Sequence, residues 1–233
     1  MAIRVELSGK RVRVLLGGTV VADSYAPLLV WEGPHYPTYY FPPDDVKLDV
    51  LKDTGETKHS TSRGDAHLYE VTVGERHGSA SRYLESPIPE IVGYVRFDWA
   101  SMDEWLEEDE PVYTHARDPY ARIDILSSSR HVVVTLDGVI LADTHQPRLL
   151  FETGLPTRYY IPMTDLALDR LVPSPSVTHC PYKGDATYWS ATVGGRVIED
   201  VAWTYRYPLP ESLKIAGLVA FYPDKTTITV TPA

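Results

Sequence analysis

The feature that most constrains this chain is that its sequence matches itself 120 residues further on, from Ala22 and Ala142 onward. Pro27 meets Pro147, Leu29 meets Leu149 and Glu32 meets Glu152. Tyr39-Tyr40 meets Tyr159-Tyr160, Pro42 meets Pro162, Asp45 meets Asp165 and His59 meets His179. Gly64-Asp65-Ala66 meets Gly184-Asp185-Ala186, and Val73-Gly74 meets Val193-Gly194. Further on, Pro87 to Glu90 aligns with Pro208 to Glu211 after a one-residue shift, and Gly93, Val95 and Phe97 align with Gly217, Val219 and Phe221 after another. So many identities at one spacing imply a tandem duplication, hence two similar domains. The expected division is residues 1–112, a linker 113–122, and residues 123–233. Pro119, Tyr113, His115, Arg117, Asp118, Tyr120 and Arg122 crowd the linker. It reads either as an exposed connection or as a segment that docks the copies.

Both halves read as all-β. Arg11 to Leu15 and Thr19 to Asp23 flank Gly17-Gly18, and Val132 to Leu136 and Val139 to Asp143 flank Asp137-Gly138. Apolar runs around Gly-Gly or Asp-Gly signal hairpins. Ser101 with Glu104 resembles a helix capping box, but its counterpart from Asp224 to Val230 is strand-like. A turn and strand are therefore expected in both copies.

Composition excludes several functions. A formal charge of -10 opposes binding to phosphate backbones, so no nucleic-acid partner is expected. No apolar run approaches the roughly 20 residues that span a bilayer, and the N-terminus lacks a signal-peptide pattern. A single cysteine fits a reducing compartment. The expectation is a cytoplasmic protein with no membrane partner. With 16 Tyr against 4 Phe, the aromatic rings are mostly amphipathic, as pocket walls are.

The run Cys180 to Trp189 gathers the cysteine, a lysine and three rings on a turn that feeds a strand. Pro181 fixes φ, and Gly184 can take the positive φ of a turn. Copy one has Ser60 to Arg63 in place of Cys180 to Lys183, Tyr69 in place of Trp189 and, on this alignment, Tyr83 in place of Trp203. Copy two is the fuller set, so the principal pocket is expected there. Cys180 is the candidate nucleophile. Its neighbour His179 would point to the other face of a strand, so a base would have to come from elsewhere, such as His131 or His145. Lys183 reads as a ligand anchor at the protein surface, whose loss should change stability little. Glu152 and Asp165 read as an acid/base pair, as polar pocket groups or as turn caps. No Cys-x-x-Cys or His-x-x-x-His spacing points to a metal, and no phosphate-loop or dinucleotide fingerprint points to a cofactor.

The run His179 to Gly184 with Tyr188-Trp189, Ala202-Trp203, Tyr205, Pro208-Leu209-Pro210 and Gly217 to Tyr222 resembles the bacterial domain-of-unknown-function 427 family. Glu152 and Tyr159 to Pro162 fit the same resemblance, which covers nearly all of copy two and, more loosely, copy one. The resemblance implies two tandem copies of a coiled-sheet β-tent-like domain, shaped like methionine sulfoxide reductase B. Some relatives of that fold hold zinc with four cysteines, which this chain does not have. The nucleotidyltransferase label attached to the family would require Gly-Ser followed by an Asp-x-Asp pair, which is absent.

Three functional readings follow. The first is a small-molecule-binding β-domain pair, with Tyr160, Tyr182, Trp189, Trp203 and Tyr205 as walls and Lys183, Glu152 and Asp165 as polar groups. The second is a thiol or acid/base enzyme, and the third a structural or interaction module.

Overall fold

The computed structural model describes residues 3–232. It is all-β and divides into two compact units between Asp118 and Pro119. The first unit carries β1 (Arg4–Leu7), β2 (Val12–Leu16), β3 (Thr19–Ser24), β4 (Leu28–Trp31), β5 (Thr38–Tyr40), β6 (Leu51–Ser60), β7 (Gly64–Val73), β8 (Arg76–Tyr83), β9 (Val95–Phe97), β10 (Glu104–Glu107) and β11 (Glu110–Pro111). The second carries β12 (Ile123–Ser127), β13 (His131–Leu136), β14 (Val139–Thr144), β15 (Arg148–Glu152), β16 (Arg158–Tyr160), β17 (Leu171–Cys180), β18 (Gly184–Val193), β19 (Arg196–Tyr205), β20 (Val219–Phe221) and β21 (Thr227–Thr231).

Strand order repeats between the units. The sheets β1-β4-β5 and β6-β7-β8-β9 of the first correspond to β12-β15-β16 and β17-β18-β19-β20 of the second. The sheet β11-β10-β2-β3 corresponds to β14-β13-β21, with the short β11 as an addition. Every strand-to-strand pairing is antiparallel. The run after Ser101 forms β10, a strand, rather than the helix its capping box suggests.

Local chemistry explains the turns. At Gly17-Gly18 (φ +56° and +71°) and Asp137-Gly138 (φ +51° and +78°) both central residues have positive φ. This left-handed pair matches the right-handed twist of the flanking strands, so each dipeptide closes a tight hairpin.

The sheets β6-β7-β8-β9 and β17-β18-β19-β20 each lie between two apolar clusters, because alternate residues of a strand face opposite ways. In β7, Val71 joins the cluster of Val12, Val14, Phe41 and Phe97, while Ala66 joins that of Val30, Tyr40, Tyr83 and Ile91. In β18, Ala191 and Val193 pack with Val132, Ile161 and Phe221, while Ala186 and Tyr188 pack with Tyr160, Trp203 and Tyr205. The stretch 113–118 folds onto the first unit. Ala116 is fully buried in its core, Asp118 accepts a hydrogen bond from Trp31 Nε1 (2.9 Å), and His115 stacks on Tyr36 at 3.9 Å. Among the described residues no helix is long and apolar enough to cross a membrane.

Candidate functional site

In the second unit, β15 delivers Glu152, β16 delivers Tyr160, the β17–β18 turn delivers Lys183, and β19 delivers Trp203 and Tyr205. Lys183 Nζ donates to Glu152 Oε2 at 2.5 Å, and both side chains are only 10% exposed. Lys183 is therefore a buried residue, in contrast to the surface position expected from sequence. Its turn is held from outside, with Leu209 N donating to the Lys183 carbonyl (3.2 Å) and Ser212 Oγ to the Tyr182 carbonyl (3.3 Å). Trp203 Nε1 donates to Tyr160 Oη at 3.2 Å. Burial pushes the Tyr160 and Tyr205 phenols well above the ordinary tyrosine range, with Glu152 adding to the effect. Cys180 is partly buried and packs beside this cluster.

Two expected members lie elsewhere. Trp189 sits on the opposite face of β18 from Tyr188 and packs on the Val132–Phe221 cluster. Asp165 accepts hydrogen bonds from Thr144 Oγ1 (2.6 Å) and Thr164 Oγ1 (2.9 Å). This is a turn clamp that repeats the Ser24–Asp45 bond of the first unit (2.6 Å). The other acid of the supposed pair, Glu152, has Lys183 as its partner. His179 turns outward to Asp185 at 2.6 Å, as His59 does to Asp65 at 2.5 Å.

Strand register corrects the alignment of the two halves. Ala66 faces Tyr83 and Ala186 faces Tyr205, so Tyr205, and not Trp203, is the counterpart of Tyr83. Trp203 faces Tyr188, where the first unit sets Ser81 against Leu68. The difference arises at a bulge. Trp189 pairs with Ala202 but Ala191 pairs with Ile198, so β19 carries two more residues than β18 across that step, whereas β7 and β8 pair without a shift. An offset of 120 cannot register such an insertion within an otherwise matching strand.

The consequence is a difference in side-chain bulk on this face. In the second unit Tyr188, Trp203 and Tyr222 fill this face of the sheet, with Trp203 and Tyr222 ring centroids 4.5 Å apart. In the first unit the smaller Leu68 and Ser81 line an open cavity of about 930 Å³. Glu32, Arg63, Tyr83 and Arg96 also line it. Arg96 Nε donates to Glu32 Oε1 at 2.8 Å, an Arg63 nitrogen lies 3.6 Å from Glu32 Oε2, and Tyr40 Oη donates to Glu32 Oε1 at 2.7 Å. Arg63 Nε donates to Tyr83 Oη at 3.0 Å. Burial favours loss of the Arg63 proton, but the Tyr83 bond and the Glu32 charge outweigh it, and the net direction is upward. Burial, then Glu32, drives the Tyr40 phenol upward, so it remains a donor.

Two guanidinium groups thus share one carboxylate. Each guanidinium has five N–H donors, and these contacts use a minority of them. Such a fork recognises a carboxylate or phosphate edge in two-point fashion. Sequence reading gave no sign of this cavity, because the richest set of chemical groups lies in the second unit, whereas a cavity depends on which side chains are small. Arg96 gave no repeat signal, since its register counterpart is Ala220.

No match to the chain is found among the curated proteins. The family model described as a domain of unknown function (DUF427) matches residues 4–108 and again residues 124–231. Its two segments cover one structural unit each, and the chain therefore belongs to the DUF427 family as a tandem pair.

Proposed function

We propose that this protein is a small-molecule-binding β-domain pair whose working pocket is the first-unit cavity. The ligand class is a polar molecule carrying a carboxylate or comparable anion. The observation that carries the reading is the placement of Arg63 and Arg96 around Glu32 on the wall of a cavity of about 930 Å³. Its volume falls at the upper end of the range typical of ligand pockets. The pair gives the buried end of the cavity an excess of one positive charge, in a protein with a formal charge of -10. Acidic residues at Glu56, Glu70 and Asp98 also line the cavity and would disfavour a ligand with several negative charges. The test is a thermal-shift screen of carboxylate-bearing metabolites, because a ligand of the folded state raises its stability in proportion to ln(1 + [L]/Kd). Hits should disappear in Arg96→Ala. Hits that persist in Arg96→Ala would overturn this placement.

A second reading keeps the principal pocket in the second unit. Its support is that Cys180, partly exposed, shares one cluster with Tyr160, Trp203 and Tyr205 beside the Lys183–Glu152 pair. In that case the same hits should be lost in Cys180→Ser and retained in Arg96→Ala.

A further inference from the structure

The β13–β14 hairpin brings together three side chains that are 12 and 14 residues apart in sequence. His131, Asp143 and His145 each offer a ligand atom, and these atoms all lie within 4.8 Å of one another. His131 Nε2 lies 2.7 Å from Asp143 Oδ1, and the two imidazoles stack with centroids 4.1 Å apart and planes 10° apart. The arrangement follows from strand geometry. Asp143 and His145 are two residues apart and so share a face, and the pairing of Val132 with Thr144 sets His131 opposite His145. Val132, Val134, Ala142 and Thr144 are buried, which leaves the three polar residues on the outer face.

The other unit fills the equivalent positions differently. The residues 120 earlier are Arg11, Asp23 and Tyr25. Arg11 Nε and Nη2 donate to the two oxygens of Asp23 at 2.7 and 2.6 Å, and the guanidinium lies 5.2 Å from the Tyr25 ring centre. Both hairpins thus keep the aspartate. In the first a built-in cation neutralises it, and in the second two imidazoles flank it.

We infer that His131, Asp143 and His145 form a surface site for a divalent transition-metal ion of the zinc type, with at least one coordination position left to water. Two imidazole nitrogens and one carboxylate oxygen suit zinc, nickel or copper, whereas magnesium and calcium favour all-oxygen shells. Ligand atoms about 2.0–2.1 Å from a tetrahedral ion lie roughly 3.4 Å apart. The 2.7 Å contact of His131 with Asp143 opens to that value, and separations of up to 4.8 Å close to it, by side-chain rotation, which partial exposure permits. Three protein ligands and an open position distinguish such a site from a four-ligand structural one. Because the site sits on the outer face, the fold does not depend on it. Spacings of 12 and 14 match no zinc motif, so the sequence gives no sign of the site.

The test is calorimetric titration of the full, untagged chain with zinc chloride. The expected result is one ion per chain with micromolar affinity, weakened at least tenfold in His131→Gln/His145→Gln. The control is His59→Gln/His179→Gln, which removes two imidazoles that face Asp65 and Asp185. It should bind as the parent does. A second measurement uses cobalt(II), whose visible absorption reports nitrogen ligation and should be lost in His145→Gln. Equal zinc affinity in the parent and the His131/His145 variant would overturn the inference, and so would loss of binding in the control.

Discussion

Lys183 Nζ lies 2.5 Å from Glu152 Oε2 where both side chains are nine-tenths buried, and Arg63 faces Glu32 at the matching position with a longer 3.6 Å contact. The repeat preserves a cation opposite an acid, but the two pairs carry different weight. In the second unit Lys183 and Glu152 pair with each other. In the first, Arg96 and Tyr40 also hold Glu32.

Lys183→Ala should therefore destabilise the protein by about 3–5 kcal/mol, because Glu152 would be left buried without its counter-charge. Urea unfolding checks this. Replacing both partners, as in Lys183→Met/Glu152→Leu, should recover most of the loss, since an apolar pair of similar volume avoids the desolvation cost. A loss below about 1 kcal/mol in the single variant would mean that water reaches the pair.

Filling the first-unit cavity should abolish binding there without unfolding the domain. Leu68→Tyr/Ser81→Trp installs the side chains that occupy these register positions in the second unit. Since the space is open, the stability cost should stay below the about 1–3 kcal/mol typical of overpacking. Loss of the thermal shift with an unchanged circular dichroism spectrum is the expected outcome.

Gly64 and Gly184 have φ of +88° and +90°, and a Cβ at either would approach a backbone carbonyl, that of Glu85 at 3.5 Å or Tyr207 at 3.4 Å. Those contacts are ordinary, so the cost of alanine lies in the backbone. Gly64→Ala and Gly184→Ala should each lose about 1–3 kcal/mol, and by similar amounts. Thermal denaturation of the two variants side by side measures it.

His115 is half-buried, and burial lowers its imidazole below the usual value, against a smaller upward effect from its bond to the Ala116 carbonyl. The unfolded chain therefore binds this proton more readily than the folded one. Stability should be full above about pH 6.5 and should fall as the pH drops below it. In His115→Phe, which keeps a ring against Tyr36, the difference in unfolding free energy between pH 5.5 and 7.5 should shrink. An unchanged difference would assign the pH dependence to other groups.

The sequence revealed most of the architecture because duplication and turn chemistry are local signals. Gly17-Gly18 and Asp137-Gly138 mark their hairpins directly, and the offset from Ala22 to Val73 carries the strand order. The candidate site was less legible. Lys183 looked like a turn residue at the surface, because nothing nearby in the chain tells that Glu152 comes to meet it. Trp189 and Trp203 looked like two walls of one pocket, but strand alternation sends them to opposite faces. The cavity depends on Ser81 and Leu68 being small, and small residues carry no chemical signature.

The two extra residues of β19 bear on how a chain with two look-alike halves avoids misassembly. Chains with similar tandem domains risk exchanging strands during folding. Were β19 to pair with β7, the strands would match from Ala66–Tyr205 to Tyr69–Ala202 and then fall two residues out of step. The bulge also holds Asp200 at φ +50°, secured by Ser176 Oγ on its side chain (2.7 Å) and by Lys225 Nζ on its carbonyl (3.1 Å). Both partners belong to the second unit, so an exchanged β19 would leave them behind while keeping the strained residue. An exchanged β19 would thus lose pairing and partners that its own unit supplies, which favours each half of the duplicated chain keeping its own strands.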